Sequence, residues 1–376
     1  MKKKLFIVTT VPDTFYFFKG QIQVLKKLFD VSLVSSSGKN LKDTEVLEKV
    51  STHVVEMKRE ISLMGDLKSL YDFIVLFKRT KPYLVHGNTP KGGLLSITAA
   101  WLCGVPKRVY CIHGLRYEGS SGMKGLVLKT MERITCFFAS DIVTVSYGVA
   151  ETLKKDMITT KNANVIANGS INGIKSEYFK PGVLNVKALS EAIGLKKEDL
   201  VFGFVGRLVK DKGINELIEA FVALSIKHPH IRLLLVGYME EVDPLLEFTK
   251  EQIANNPNIK FVGLQMDIRP YLQLMDVFTF PSYREGFGIS IMEAAAMGIP
   301  SIASDINGCN EIIKDGYNGK LIPSKSVKHL KNTMELFIKH PAYINDLASN
   351  SRNLIIEKYD QKLVWKAIYD FYKKMI

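Results

Sequence analysis

Long apolar runs, paired cysteines and low-complexity tracts are scarce or missing from this 376-residue chain, and each lack excludes a class of protein. The longest apolar stretch, 94–105, is broken by Ser96, Thr98 and Gly104 and falls short of the ~18 residues that suggest a membrane span. Cysteines number four, Cys103, Cys111, Cys136 and Cys309, with no C-x-x-C or C-x-x-H spacing. That argues against a disulfide framework and a structural zinc, and suits a reducing cytosol. His53, His228, His230, His329 and His340 form no ligand-spaced cluster and no D-x-D pair accompanies the motifs below, so no catalytic metal is expected. Behind Lys2-Lys3-Lys4 there is neither a long apolar core nor an A-x-A-like cleavage site, so Leu5-Phe6-Ile7-Val8 reads as a first strand rather than a signal peptide. With 47% hydrophobic and 24% charged residues, the composition is that of a folded globular protein.

The charge that is present is one-sided. The net charge is +13, and 26 basic against 15 acidic residues up to residue 178 leave +11 there and +2 beyond. Such basicity suits nucleic acid, an anionic membrane surface or an acidic substrate. The cations are dispersed, with no aromatic-interleaved basic stripe, which argues against a nucleic-acid-binding module. At ~150 residues per domain the length predicts two domains. Strand-like runs at 5–9, 31–35, 84–87, 108–113, 142–146 and 165–167 alternate with helical patterns at 20–29, 67–80, 92–102, 123–139 and 148–155. The pattern restarts with strands at 202–205, 232–236, 259–262, 277–280, 301–303 and 320–322, and helices at 213–226, 244–254, 268–274, 289–296, 309–313 and 327–337. This alternation predicts an α/β fold of two doubly wound parallel sheets, with the turn-rich segment 176–182 as linker.

In open parallel sheets ligands bind beyond the carboxyl ends of the strands, and most of the chemistry-bearing residues follow predicted strands. Gly206-Arg207-Leu208-Val209-Lys210-Asp211-Lys212-Gly213 runs from a strand into a helix, where Arg207 and Lys212 could hold a diphosphate; in isolation a solvated turn is the favoured reading. Further on, Pro281-Ser282-Tyr283-Arg284-Glu285-Gly286-Phe287-Gly288-Ile289 leads into a strong helix former run carrying Glu293. Gly286 and Gly288 clear side chains from a helix N-terminus that could cradle phosphate. Glu293 could accept from a ribose diol and Glu285 from sugar hydroxyls, or Glu293 could be a surface carboxylate at a favourable helix end. The stretch 123–138, with Lys124, Lys129 and Arg133 beside a broad apolar face, reads as an interfacial helix or as an ordinary core-packed helix with a basic solvent side. Met57-Lys58-Arg59 and Phe77-Lys78-Arg79-Thr80-Lys81 add cationic edges.

Glu285-x7-Glu293 with Arg207 and Lys212 upstream resembles the donor site of the retaining glycosyltransferases of family 4. His86-Gly87-Asn88-Thr89-Pro90-Lys91, His113-Gly114-Leu115-Arg116-Tyr117, Gly169-Ser170-Ile171-Asn172-Gly173-Ile174 and Asp305-Ile306-Asn307-Gly308-Cys309-Asn310-Glu311 resemble further segments of that family, in the expected order. The resemblance implies a GT-B fold of two facing Rossmann-like domains: 1–178 for the acceptor, 179–357 for the nucleotide-sugar donor, and a helix in 358–376 packing back on the first. It implies that Arg207 and Lys212 hold the donor diphosphate, Glu293 the ribose and Glu285 the transferred sugar. Backbone groups of Gly286, Phe287, Gly288, Ile289 and Ser290 would support phosphates and sugar, and the loop at Gly263, Met266 and Ile268 the base. His113 would meet the reacting sugar, and Gly20, Asn88, Lys91 and Asn172 would stand on the acceptor side. Asn88 replaces a His common in the family, Lys175 an Asp and Asn310 an Arg, which touches substrate choice more than reaction class. The implied activity is hexosyl transfer from a nucleotide-diphosphate sugar, read as a UDP-sugar, to a polyprenyl-diphosphate-linked glycan or other saccharide acceptor of capsule or O-antigen assembly. No cofactor, metal or nucleic acid is expected, and the location is cytoplasmic, peripheral to the inner face of the membrane. A nucleotide-sugar epimerase of the same architecture is the alternative.

Overall fold

The structure, a computed structural model, describes residues 2–58, 60 and 62–376; Arg59 of the first cationic edge lies outside them. The chain forms two compact units, residues 1–173 with 361–376 and residues 174–360. Unit 1 contains strands β1 (Lys3–Val8), β2 (Phe29–Ser35), β3 (Ser51–Val54), β4 (Leu84–Asn88), β5 (Lys107–Ile112), β6 (Asp141–Thr144) and β7 (Ala163–Val165). Its helices are α1 (Gln21–Leu25), α2 (Lys39–Glu48), α3 (Leu63–Thr80), α4 (Pro90–Leu102), α5 (Gly122–Phe138) and α6 (Tyr147–Lys155). Unit 2 contains α7 (Lys187–Ala192), β8 (Leu200–Val205), α8 (Ile214–Ser225), β9 (Ile231–Val236), α9 (Glu247–Asn255), β10 (Ile259–Phe261), α10 (Arg269–Leu272) and β11 (Val277–Phe280). It continues through α11 (Ile289–Ala296), β12 (Ser301–Ser304), β13 (Gly319–Ile322), α12 (Val327–Lys339) and α13 (Pro341–Tyr359), before α14 (Gln361–Lys373) returns to unit 1.

Both sheets are wholly parallel, ordered β3-β2-β1-β4-β5-β6-β7 and β10-β9-β8-β11-β12-β13. The chain winds outward from β1 and then from β4, and likewise from β8 and then β11, which is the Rossmann order with its switch point between those pairs. Continuous apolar runs make this possible, because a parallel strand covered by helices on both faces must be apolar on both. Leu5 to Val8, and Leu233 to Val236, are buried side chain by side chain.

Several expectations shift. The segment 176–182 is built into unit 2: Ile174 N–H donates to Tyr359 O at 2.8 Å, and Arg352 donates to Ser176 O and Phe179 O. The chain therefore crosses between units at 173/174 and 360/361 rather than at 178/179 and 357/358. Residues 309–313 form turns, held by Cys309 N–H to Ile306 O, in place of the expected helix. The edge strand β3 and helices α2, α7 and α13 went unread. β3 is half exposed, and α7 buries no residue, so neither carries a strong apolar period.

Candidate active site

In unit 2 the two motif loops leave the sheet on either side of the β8/β11 switch point. The first turns through a 3-10 segment, Lys210–Lys212, into α8, and Gly213 sits between them at φ +71. A Cβ there would lie 2.1 Å from Pro281 O, so only glycine lets the two loops touch. Tyr283 N–H then donates to Asp211 O at 2.8 Å, and Arg284 pairs with Asp211 at 2.6 Å. The contact brings the Lys212 ammonium onto Glu285, both largely shielded, with Lys212 also 5.1 Å above the Phe280 ring. Arg207 lies further out, nearly half exposed, on Glu240 at 2.6 Å.

Glu293 stands at the end of the first turn of α11, half-buried, between the buried Met292 and Ala294. Its carboxyl has no protein partner among the described residues, and burial pushes its pKa up to about 8. A half-buried carboxyl left without a protein donor is open to hydroxyls or a cation from elsewhere. The glycine loop beside it is more committed than its sequence suggests. Gly288 N–H donates to Gly308 O and Ile289 N–H to Phe287 O, while the ladder of α11 begins with Met292 N–H to Gly288 O. Anion-binding capacity at this helix start thus rests on Ser290 and Ile291 rather than on Gly288 and Ile289. Phe287 is buried against Tyr359, so only its backbone is on offer. Gly263, at φ +71, accepts from Gly237 N–H, and its loop carries Met266 almost fully exposed and Ile268 half-buried.

Unit 1 places its motifs after β4 and β5. Asn88 donates from Nδ2 to Val8 O and His86 O, which turns its Oδ1 to His113 Nε2 at 2.8 Å. Because that oxygen only accepts, Nε2 must carry the proton, and Nδ1 of His113 is left as a hydrogen-bond acceptor. Desolvation lowers the His113 pKa to about 4, so the ring is neutral near pH 7. His86 is buried behind it, bonded through Nδ1 to Tyr372 of α14 at 2.9 Å and lowered to about 3, mainly by desolvation and then by His113. Thr89, at φ +65, is strained where it caps α4, and its hydroxyl meets that of Thr10 at 2.7 Å. Neither this threonine pair nor Tyr372 had been singled out from sequence; the strand-end position of Thr10 was the available signal.

The remaining residues read as acceptor-side have partners inside unit 1. The Lys91 ammonium is buried on Asp66 at 2.8 Å. Asn172 uses both ends of its amide, donating to Lys19 O and accepting from Trp365 Nε1 of α14 at 2.6 Å. Gly20, at φ +77, lies against the Trp365 ring, 2.7 Å from where a Cβ would stand.

Residues 185–354 match the family profile described as glycosyl transferases group 1, and residues 5–146 the one described as glycosyl transferase 4-like. The capsular polysaccharide biosynthesis glycosyltransferase CapM of Staphylococcus aureus is 35% identical over 382 residues, covering 100% of this chain and 98% of that protein. The chain belongs to the group 1, family 4-like glycosyltransferases. This glycosyltransferase is also 28% identical to the Escherichia coli UDP-Gal:alpha-D-GlcNAc-diphosphoundecaprenol alpha-1,3-galactosyltransferase, over 93% of this chain and 90% of that one. Anabaena HepE, solved with UDP-glucose, superposes with a TM-score of 0.82 at 20% identity, over 99% of this chain and 100% of that one. At that identity the likeness speaks for the fold alone, and the fold is GT-B. The enzyme is a hexosyltransferase, and each half of it carries one half of the motif set.

Proposed function

We propose that this hexosyltransferase moves a sugar, with retention of configuration, from a UDP-sugar to a lipid-diphosphate-linked or polysaccharide acceptor during assembly of a bacterial surface glycan. The work is done in the cytoplasm, at the inner face of the membrane. The observation that carries the donor reading is Glu293, an unpartnered carboxyl on α11, in the same strand-end region as the Lys212–Glu285 pair. A ribose diol supplies the two donors that Glu293 lacks, and a diphosphate draws Lys212 away from Glu285, freeing that carboxylate for the sugar. As the bond from the sugar to the diphosphate breaks, the growing charge on the departing oxygens is met by Lys212, Arg207 and the N–H groups of Ser290 and Ile291, without a metal ion. His113, neutral and fixed by Asn88, keeps as an acceptor the nitrogen that Asn88 leaves open. The names of the capsule and diphosphoundecaprenol relatives support the acceptor class.

Mass spectrometry on a panel of nucleotide sugars, read for hydrolysis and for transfer to a diphospholipid-linked saccharide, tests this directly. One UDP-sugar should be consumed, with turnover undiminished in excess EDTA. Consumption of none, or of a donor whose only product is its epimer, would sink the proposal, and loss of turnover to EDTA with rescue by Mg²⁺ or Mn²⁺ would remove the metal-free site.

A further inference from the structure

Two helices of unit 1 carry apolar side chains on their outer side as well as their inner one. A surface helix ordinarily buries its apolar stripe and shows water its charges. α5 instead buries Glu132, 4% exposed and bonded to Tyr110 Oη at 2.8 Å, while Met123, Leu126, Val127, Ile134 and Phe137 are exposed. α3 buries Phe73, Leu76 and Phe77, yet also exposes Leu63, Met64, Leu67, Tyr71 and Val75 along its outer side. Core packing thus accounts for only one side of either helix. Both pack against α4, and the crossovers leading to β4, β5 and β6 run in one direction, so α3, α4 and α5 cover the same face of the sheet. The ridges therefore share one surface. The apolar side chains of α5 continue into a cavity of about 1130 Å³, which Ile134, Phe137, Tyr147 and Met157 help to line.

The exposed charge on the two helices has one sign, while the cavity beside α5 is lined by Glu151 as well as Arg133, Lys154 and Lys161. The exposed charged residues of the two helices are Lys68, Lys78, Arg79, Lys124 and Arg133, whereas Asp66 and Asp72 are half-buried and Glu132 is buried. Lys129 is engaged by Asp156 at 3.1 Å. By unit, the asymmetry is complete: unit 1 holds 29 basic and 15 acidic residues, net +14, and unit 2 holds 22 and 23, net −1.

We infer that the α3–α5 face is a membrane-insertion surface, with its apolar ridges entering the headgroup–acyl boundary of an anionic bilayer and its cations on the lipid charges. An apolar ridge bordered by cations is what an interfacial helix presents to anionic lipid. A second copy of the chain fits worse, since a two-fold contact on this face would set its cations against themselves. The inference deepens the membrane contact proposed above and rests on it.

The test is co-sedimentation with vesicles of phosphatidylcholine, alone or with 30% phosphatidylglycerol, run on the parent and two variants. One variant replaces Leu67, Tyr71, Met123 and Phe137 with Ser, and the other replaces Lys68, Lys78, Lys124 and Arg133 with Gln; all eight side chains are exposed, and thermal melts verify folding. The parent should bind anionic vesicles in preference to neutral ones, the Ser variant should lose roughly tenfold or more in partitioning, and the Gln variant should lose the anionic preference. A parent that ignores anionic vesicles, variants that bind as the parent does, or a lipid-free dimer abolished by the Ser variant overturns the inference. Donor hydrolysis assayed without lipid keeps the questions apart: an active protein that ignores vesicles loses only this surface, and an inert one that binds them loses only the proposed reaction.

Discussion

The two units share a strand order and differ in how their strand-end polar groups are satisfied. In unit 1, Lys91 rests on Asp66, Asn172 on Trp365 and His113 on Asn88. In unit 2 the Lys212–Glu285 pair neutralises itself, and Glu293 faces no protein donor. Unit 1 spends most of these strand-end groups on its own residues, the buried Nε2 of His86 apart; unit 2 holds a carboxyl whose partner must arrive. The difference shows in how pH acts on each. Glu293, raised from 4.5 to about 8, adds no penalty to the fold below about pH 4.5, a growing one through that window, and its full penalty above about 8. In unit 1 the depressed His86 and His113 penalise the fold increasingly as pH falls below 6.5, and Glu132, raised to about 7 by burial, penalises it as pH rises from 4.5. Unit 1 is pressed from both sides, unit 2 mainly from the alkaline side.

The sharpest way to break this contrast is Lys212→Ala, which removes the paired cation and strands Glu285. Turnover should fall by a factor of about 10²–10³, as for loss of a transition-state charge donor, with a cooperative melt retained; near-parental kcat would show that the ion pair plays no part in the chemistry. Glu293→Gln should weaken donor binding in titration calorimetry while raising the melting temperature of unit 2 by roughly 4–8 °C at pH 8.5 and by less than about 2 °C at pH 5. An equal gain at both pH values would mean that the free carboxyl is not the source of the penalty. On the other side of the comparison, Tyr372→Phe strips buried His86 of its hydrogen bond and should cost about 1–3 kcal/mol in denaturant unfolding of unit 1, with the unit 2 transition unmoved. Arg207→Ala should have the smallest effect: under about 0.5 kcal/mol of stability, because its pair with Glu240 is solvated, and a roughly tenfold loss of kcat, well short of that at Lys212.

How much of this was legible depended on period and on partners. Strands such as β9 and β11 stood out because a short run of apolar and β-branched residues between turn signals has few alternatives in a soluble fold. The functional loops were legible because Arg207, Lys212, Glu285 and Glu293 keep a spacing that resembles a known family. The sequence does not say which N–H groups are already spent: Gly288 looked free until Gly308, twenty residues on, supplied a carbonyl. Nor does it reveal that Asn172 and Gly20 serve a tryptophan of α14, since that contact spans more than 190 residues. The direction in which α5 faces was open for a like reason. Its apolar and polar residues fit either orientation until Tyr110, on β5, claimed Glu132 for the interior.

The return of α14 sets an order of events during synthesis. Unit 2 is one uninterrupted stretch, 174–360, whereas unit 1 joins residues 1–173 to 361–376 across it. As the chain leaves the ribosome, residues 1–173 emerge lacking the helix that supplies Trp365 to Gly20 and Tyr372 to His86. Unit 2 can close over its own core while its predecessor still waits, so the half made second is the first to be finished. Only a chain translated through residue 372 can seal the pocket around His86, so completion of the first unit waits on synthesis of the second.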